Sequence, residues 1–308
     1  MEIMTDAEYR EYFTTLSNWG RWGDDDQKGT LNLLTNETRL AAAQAVKYGV
    51  AVGCSRILSP VHAPHNPEPI LHHMTVAGEG EIKKGFQGSE DWFGMGFHGY
   101  GITHLDALSH VFWDGVLYNN RPSSLIKAAS GARVLSAEQA GDGVLGRGVL
   151  LDVPRFRNVE WLELGEPIGP DELTACAASE GIDVRSGDIL LVRVGRDVRF
   201  KSHGPSEPEK DGTPGLHASC LPLLREWDVA AIGSDATNDV MPSQVEGVAA
   251  AVHAAGIVAM GLWLFDSMLL EPLAQACARY SKWDFLFSAS PLMIKNSTGS
   301  PVNPVAVL

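Results

Sequence analysis

The stretch Gly148-Val149-Leu150-Leu151-Asp152-Val153 decides the fold of the second half of the chain. It is a short apolar run with the length of a buried strand, and a helix-like segment follows it at residues 171–180. A second apolar run of the same kind follows at residues 188–194. Such alternation of strand and helix predicts an α/β fold, in which helices pack on a mixed or substantially parallel sheet.

The alternation continues towards the C-terminus. Further helices are predicted at residues 123–130, 218–227, 247–255 and 271–280, and further strands at residues 229–232, 257–265 and 284–289. Near the N-terminus, Thr5 is a candidate N-cap for a helix over residues 6–16. Gly141, Gly143 and Gly146 spell G-x-G-x-x-G, but they precede a strand instead of following one, so they predict a tight turn and not a dinucleotide site.

We expect a single domain over residues 1–308, and the sequence shows no internal repeat. Residues 1–58 are predicted to be a loop-rich N-terminal extension. The proline-rich and glycine-rich residues 59–101 suit loops that wall a pocket. Residues 202–215 lack an apolar period and predict a linker or lid.

Composition excludes several classes of protein. With 44% hydrophobic and 20% charged residues, the chain has the composition of a globular protein and not of a disordered one. The formal net charge of −14 disfavours nucleic acid as a partner. The four cysteines are scattered without a C-x-x-C pair, and the N-terminus lacks the pattern of a secretory signal, so we expect a cytoplasmic location. We read the apolar residues 248–265 as a buried helix and strand, not as a membrane span.

A cluster of histidines carries the chemistry. The segment is Phe97-His98-Gly99-Tyr100-Gly101-Ile102-Thr103-His104-Leu105-Asp106-Ala107-Leu108-Ser109-His110, in a chain with only 10 histidines. If residues from 103 onward are extended, His104, Asp106 and His110 share one face; if the chain turns helical after Asp106, then Asp106 and His110 are still neighbours. Either geometry can pair an imidazole with a carboxylate around a metal, although histidines fixed in the core by Asp106 are the alternative.

The stretch from Thr103 to His110 resembles the core of the H-x-G-T-H-x-D-x-P-x-H signature of the metal-dependent cyclase family, which includes bacterial kynurenine formamidase and isatin hydrolase. Val252-His253 and Gly261-Leu262-Trp263-Leu264-Phe265-Asp266-Ser267 resemble its second motif, and residues 214–235 resemble the approach to that motif. Residues 22–32 and 299–304 are similar to those of a longer branch of the family. The resemblance implies a swivelling β/β/α fold, with a barrel-like mixed sheet and flanking helices.

The resemblance also implies roles for single residues. His104 and Asp106 match the first-motif metal ligands, and His253 and Asp266 match the histidine and glutamate that hold a second metal. His110 matches the histidine credited with acid/base work.

The sequence departs from the family signature at three positions. Tyr100 stands where the family has its first ligand, while Ile102 and Leu108 replace a glycine and a proline. We expect His98 to supply the missing ligand, or else a metal with fewer protein ligands.

Aromatic residues surround the motif, and they are candidates for a slot that accepts a ring-bearing substrate. The candidates are Trp92, Phe93, Phe97, Tyr100 and Trp113, with core packing as the alternative for each ring. His217 and the pair His72-His73 lie on predicted loops and are left outside the site.

These residues predict a metal-dependent hydrolase that opens an amide, a cyclic amide or a lactone. One or two Zn²⁺ or Mn²⁺ ions would activate a water molecule, and His110 would move the proton. A metal-dependent lyase or dehydratase, and a non-catalytic protein with a degenerate site, are the alternatives. The partners expected are a small molecule and further copies of the chain in a homodimer or homotetramer, with no nucleic acid and no membrane.

Overall fold

The computed structural model describes residues 3–80 and 84–308 of the chain. Its α-helices are α1 (Asp6–Thr15), α2 (Asn36–Gln44), α3 (Val153–Phe156), α4 (Pro170–Ser179), α5 (Arg196–His203), α6 (Pro208–Asp211), α7 (Leu221–Trp227), α8 (Ala251–Ala255) and α9 (Glu271–Tyr280). Shorter 3₁₀ segments lie at Gly29–Leu33, Tyr118–Asn120, Ser123–Leu125, Ala137–Ala140 and Ala218–Cys220, and a π-helical turn lies at Gly256–Met260.

The strands are β1 (Ala51–Gly53), β2 (Leu71–Val76), β3 (Glu90–Gly94), β4 (His104–Asp106), β5 (Val116–Leu117), β6 (Arg121–Pro122), β7 (Ile126–Lys127), β8 (Gly131–Ala132), β9 (Val144–Asp152), β10 (Pro167–Ile168), β11 (Ile189–Arg193), β12 (Gly215–Leu216), β13 (Ala231–Ser234), β14 (Trp263–Asp266), β15 (Asp284–Ala289), β16 (Gly299–Pro301) and β17 (Val305–Val307). In the described residues, nine of them form the main sheet in the order β1-β17-β15-β9-β11-β13-β14-β4-β16.

The main sheet is mixed, as the alternating pattern predicted. The four central strands β9, β11, β13 and β14 are parallel, and the strands on both sides of them pair antiparallel. The helical segments between the parallel strands cover the sheet, and the strands β9, β11, β13 and β14 are almost entirely buried. The predicted α/β fold is therefore confirmed.

The topology brings polar segments to one edge of the sheet. In parallel sheets, ligands bind beyond the carboxyl ends of the strands. Strand β14 ends at Asp266, and the antiparallel register places His104, the first residue of β4, directly opposite it. The segment that follows β13 also reaches this edge, with Asn238 and Asp239 both buried.

Several predicted elements agree closely with the structure. Thr5 caps α1 in a capping box with Glu8, α9 begins and ends at the predicted residues, and β15 does the same. The glycine-rich segment before β9 forms a turn, and Gly143 there has a φ of +80°, a conformation that favours glycine.

Three predicted elements are wrong. Residues 123–130 are not a helix but a 3₁₀ turn followed by the short strand β7. The predicted helix at residues 247–255 begins only at Ala251, and it continues as a π-helical turn where a strand was predicted from residue 257, so β14 starts only at Trp263. Residues 251–266 are buried throughout, which leaves no amphipathic period to separate helix from strand.

The stretch predicted to be a linker or lid contains regular structure. Residues 202–215 hold the end of α5, all of α6 and the start of β12. The three elements are too short for an apolar period to show in the sequence.

No helix in the described part of the chain is long and apolar enough to cross a membrane. The apolar residues 248–265 that raised the question are divided between α8, the π-helical turn and β14.

A partly buried carboxyl group makes stability depend on pH. Glu180 follows α4, and its Oε1 accepts a hydrogen bond from the Asp152 backbone N–H at 3.1 Å. Burial, with a smaller effect from the charge of Asp152, raises the pKa of Glu180 to about 8. Between about pH 4.5 and pH 8 the unfolded chain releases this proton while the folded chain keeps it, so stability is lost as the pH rises through this window.

We expect Glu180→Gln to remove this dependence, because the amide oxygen can still accept the hydrogen bond and carries no charge. The variant should gain about 2 kcal/mol over wild type at pH 8, and the gain should vanish near pH 4.5. Urea unfolding across this range measures the difference, with the exposed Glu226→Gln as control. An equal gain at both ends of the range would contradict the assignment.

Candidate metal centre

The strand β4 supplies the centre of the site. Side chains two residues apart in a strand point to the same face, so His104 and Asp106 do so, while Leu105 points into the core on the other face. The register with β14 pairs His104 with Asp266, which places both side chains on that same face. Local period and long-range register together therefore gather one imidazole and two carboxylates.

Asp106 is the point on which the other groups converge. Its side chain is fully buried, and its Oδ1 lies 2.7 Å from His98 Nδ1 and 3.5 Å from His104 Nε2. The same oxygen lies 3.9 Å from His110 Nε2, and Oδ2 lies 3.4 Å from His253 Nε2. Four imidazoles thus surround one carboxylate.

His98 enters the cluster from the loop before β4. Its Nε2 lies 3.0 Å from Thr298 Oγ1, a contact that leaves Nδ1 facing Asp106. The neighbouring Gly299, in β16, makes room for the ring, because a Cβ there would lie 2.9 Å from His98 Cε1 and 2.5 Å from the Leu105 carbonyl oxygen. The structure therefore brings His98, and not the side chain of Tyr100, to Asp106.

His253 is held by a second buried carboxylate. Asp239 Oδ1 accepts a hydrogen bond from the Val252 backbone N–H at 2.6 Å, and its Oδ2 accepts one from the His253 backbone N–H at 3.2 Å and contacts His253 Nδ1. With Nδ1 bound in this way, Nε2 is the nitrogen that faces Asp106 and Asp266.

The helix that carries His253 is anchored from the N-terminus of the chain. The Tyr9 hydroxyl donates to the Ala251 carbonyl at 2.7 Å and accepts from the Ala255 N–H at 3.0 Å. α1 therefore fixes the position of α8, although α8 itself is only five residues long.

Asp266 is oriented by an amide. Its Oδ1 accepts hydrogen bonds from Asn238 Nδ2 at 2.6 Å and from the Asn238 backbone N–H at 3.2 Å. Its Oδ2 remains directed at His253, 3.3 Å from Nε2. The side chain is shorter by one methylene than the glutamate of the family motif, and it still reaches the cluster.

His110 lies at the rim of the cluster. Its ring stacks on that of His98, with centroids 3.8 Å apart and an interplanar angle of 3°. The side chain is about a quarter exposed, whereas those of His104 and Asp106 are buried. His110, like His98 beside it, therefore meets both the carboxylate and the solvent side of the site.

The charges of the cluster depend on each other. Burial alone raises the pKa of Asp106, but the neighbouring His110 and His104 outweigh it and hold that pKa well below its usual range. Burial likewise lowers the pKa of His253, and the negative charges of Asp266 and Asp239 outweigh it and raise that pKa well above its usual value. The cluster is therefore an ionised one, in which buried carboxylates need positive charge nearby.

The donor set fits a divalent cation. Although the His98 and His253 nitrogens lie close, no group in residues 3–80 and 84–308 donates a hydrogen bond of good geometry to either buried oxygen of Asp106. His98, Asp106 and His110 offer ligand atoms within 4.8 Å of one another, and so do His104, Asp106 and Asp266. A buried carboxylate without donors, surrounded by imidazole nitrogens, is the arrangement that a metal ion satisfies.

A cavity of about 770 Å³ opens over this cluster. His98, His104, Asp106, His110, His253 and Asp266 all line it. Its other walls include the apolar side chains Ile102, Val111 and Met241. The volume suits a small ring-bearing molecule, because ligand cavities commonly measure about 300–1,000 Å³.

The predicted aromatic slot is only partly assembled. Phe97 and Tyr100 line the cavity. Trp92 and Phe93 lie on β3 with about half of each side chain exposed, and neither borders the cavity. Trp113 stacks on Phe13 with centroids 5.0 Å apart, which places it against the core. His217 is buried elsewhere, with its Nδ1 bonded to Ser219, and it does not border the cavity.

Sequence reasoning missed Asp239, Asn238 and Thr298, which hold His253, Asp266 and His98 respectively. The first two follow the parallel strand β13, and polar residues directly after such a strand were the available signal. Thr298 carried no local signal, because it meets His98 only through the pairing of β16 with β4.

Comparisons with solved structures agree with this fold. A crystal structure of a novel cyclase aligns with a TM-score of 0.85 and 29% identity, covering 96% of this chain and 100% of that one. Isatin hydrolase A from Ralstonia solanacearum aligns with a TM-score of 0.60 and 20% identity, covering 88% of this chain and 97% of that one. A protein from Bacillus stearothermophilus described as a predicted metal-dependent hydrolase aligns with a TM-score of 0.52 and 13% identity over 83% of this chain and 97% of that one.

No curated protein matches the sequence significantly. The sequence profile of the family described as putative cyclase matches residues 52–238, which is more than half of the chain and includes β4 and its histidines. The order of the motifs, the mixed sheet and the cluster around Asp106 agree with that match. The chain belongs to the putative cyclase family.

Proposed function

We propose that this protein is a metal-dependent hydrolase that cleaves an amide, a cyclic amide or a lactone with water as the nucleophile. The observation that carries the proposal is Asp106, a fully buried carboxylate with four imidazole rings around its oxygens. Among the described residues, no group donates a hydrogen bond of good geometry to it. Isatin hydrolase A, which shares the fold of this chain, supports hydrolysis as the type of reaction.

Two sets of ligands are available for Zn²⁺ or Mn²⁺. His98, His104 and Asp106 would hold one ion, and Asp106 with His253 and Asp266 would hold a second, to which His104 also offers a nitrogen. Nitrogen and oxygen donors of this kind accept either metal. Such an ion, when bound, polarises a carbonyl oxygen and lowers the pKa of coordinated water from 15.7 towards about 7.

His110 is the acid/base residue of the proposal. Burial lowers the pKa of His110 to about 4, although the charge of Asp106 opposes this effect. The ring is therefore neutral at neutral pH, and its Nε2 can accept the proton that the attacking water loses. Returning that proton to the leaving nitrogen or oxygen completes the hydrolysis, since the C–N or C–O bond breaks and a carboxylate forms.

The walls of the cavity favour direct attack by water. Within the described residues, the lining contains no serine and no cysteine, and the free cysteines are buried elsewhere. Burial raises the pKa of Cys54 to about 12, which removes it as a thiolate. No acyl-enzyme is therefore part of the proposal.

Metal analysis coupled to a substrate screen tests the proposal. Protein loaded with Zn²⁺ or Mn²⁺ should hydrolyse at least one of three groups, namely N-formyl anilines, isatin-like lactams and small lactones. In ¹⁸O-labelled water the label should appear in the product carboxylate. A product without the label would identify a lyase or dehydratase instead, and a protein that binds neither metal would favour a non-catalytic role.

Asp239 offers a test of the second ligand set. In Asp239→Asn the amide cannot accept from the Val252 N–H and from His253 at the same time, so the His253 ring loses its orientation. We expect metal affinity at this set to fall about 10–100-fold. Titration with Zn²⁺, followed by isothermal calorimetry, measures the change.

The background His253→Ala supplies the control. If Asp239 acts through His253, Asp239→Asn should lower affinity no further in that background. A further loss of the same size would show that Asp239 supports the site in another way.

A further inference from the structure

Five carboxylates line the cavity, and its basic groups are the four imidazoles of the candidate metal centre. Among the described residues that line it, Glu68, Glu209, Asp106, Asp239 and Asp266 carry carboxylates, and none is a lysine or an arginine. A site with one sign of charge attracts ligands of the opposite sign, and low-dielectric walls strengthen the effect.

Two arginines near the cavity, Arg196 and Arg56, form their hydrogen bonds and ion pairs behind its wall. Arg196 is buried and donates to the Tyr100 carbonyl at 2.6 Å and to Ser267 Oγ at 3.2 Å. Arg56 pairs with Asp197 and donates to the Asp235 carbonyl at 3.0 Å. Neither guanidinium is therefore free to bind an anionic substrate in the cavity.

Two of the five carboxylates lack a counter-charge. Asp106 and Asp266 belong to the proposed metal ligands, and Asp239 is paired with His253. Glu68 and Glu209 form no ion pair with any residue in the part of the chain that the structure describes, and both are exposed at the rim. Their negative charge is available to a ligand.

Each of these two carboxylates lies beside another residue that lines the cavity, Glu68 beside Gly96 and Glu209 beside Tyr100. Glu68 Oε2 lies over Gly96, where a Cβ would approach it to 2.9 Å. Glu209 lies on α6 beside Tyr100, and both residues line the cavity. The rings of Phe97 and Tyr100 line the same cavity.

We propose that the rim formed by Glu68, Glu209, Phe97 and Tyr100 selects substrates that carry an ammonium group in addition to the bond that is hydrolysed. Carboxylates attract the cation, and aromatic faces stabilise it further. Asp106, which is fully buried, lines the same cavity, and no described group donates a hydrogen bond of good geometry to it, so the metal of the proposed function would lie there. The inference rests on the proposed hydrolase function and names the class of its substrate.

Three matched formanilides test the selectivity. They carry a para-aminomethyl, a para-hydroxymethyl or a para-carboxylate group, so that charge changes while the scissile amide does not. With the metal-loaded protein, we expect kcat/KM for the aminomethyl compound to exceed that for the hydroxymethyl compound about tenfold, and the carboxylate to react at least about tenfold more slowly than the hydroxymethyl compound. Added salt should narrow both ratios.

Variants assign the selectivity to the rim. In the double variant Glu68→Gln with Glu209→Gln, the ratio between the aminomethyl and hydroxymethyl compounds should fall to about one. As a control, Glu226→Gln removes one negative charge at an exposed position of α7 that does not line the cavity, and it should keep the tenfold ratio. An unchanged ratio in the double variant overturns the inference, while hydrolysis of the neutral compound leaves the proposed function standing.

If no formanilide reacts, a binding measurement still tests the preference for an ammonium group separately from the proposed hydrolase function. Benzyltrimethylammonium cannot ligate a metal, and it should bind the metal-loaded protein about tenfold more tightly than benzyl alcohol does, with the preference lost in the double variant. Equal affinity for both compounds overturns the inference. A retained preference without any hydrolysis contradicts the proposed hydrolase function alone.

Discussion

Asp106→Asn is expected to abolish metal binding and, with it, turnover. Among the described residues, the Asp106 carboxylate contacts His98, His104, His110 and His253 together. In Asp106→Asn the side chain loses its negative charge, and its NH₂ group points a hydrogen-bond donor at nitrogens that must bind the cation. Breaking a buried charged cluster of this kind costs about 3–5 kcal/mol, and a loss of that size corresponds to roughly 10²–10⁴-fold in metal affinity.

The measurement is the metal content after dialysis against limiting Zn²⁺ or Mn²⁺, with circular dichroism to show that the variant is folded. Asp183→Asn is the matched control, because that side chain is 84% exposed and lies far from the cavity. If Asp106→Asn retained one or two equivalents of metal with unchanged affinity, the centre described here would not be a metal site.

The second large effect is expected at His110. His110→Ala should lower kcat about 10²–10⁴-fold while the protein still binds its metal, because the residue moves a proton and the other ligands remain. Added imidazole should restore part of the activity by filling the space that the side chain leaves.

His98 is the matched comparison for His110, because the two rings stack with centroids 3.8 Å apart and have different roles in the proposal. In His98→Ala the metal affinity should fall, whereas in His110→Ala the turnover should fall at constant metal content. His110 also offers a nitrogen to the His98 and Asp106 group. Loss of metal from His110→Ala would therefore make it a ligand and refute the assignment as acid/base.

Part of the site was predictable because its geometry is local. His104 and Asp106 lie two residues apart, and any extended strand places them on one face, which the structure has in β4. The sequence also indicated His253 and Asp266 by their resemblance to a second motif, and the structure brings both within 3.4 Å of the Asp106 cluster or of each other.

Other parts of the site were beyond local reasoning. Trp92, Phe97 and Trp113 all lie near the motif in sequence, yet of these three only Phe97 borders the cavity. Closeness along the chain does not fix the direction of a side chain when hairpins and turns intervene, as β3 and the turn after His110 do here.

By itself, the sequence determined the alternating elements, the mixed α/β class and the pair His104 and Asp106, because apolar period and side-chain alternation depend on neighbours along the chain. Only the tertiary structure decided that His98, and not the side chain of Tyr100, lies against Asp106. It also decided that Asp239 orients His253 and that Asn238 orients Asp266. Those contacts depend on which strands pair and in which register, and strand register is fixed by packing between segments more than 100 residues apart, such as β4 and β14.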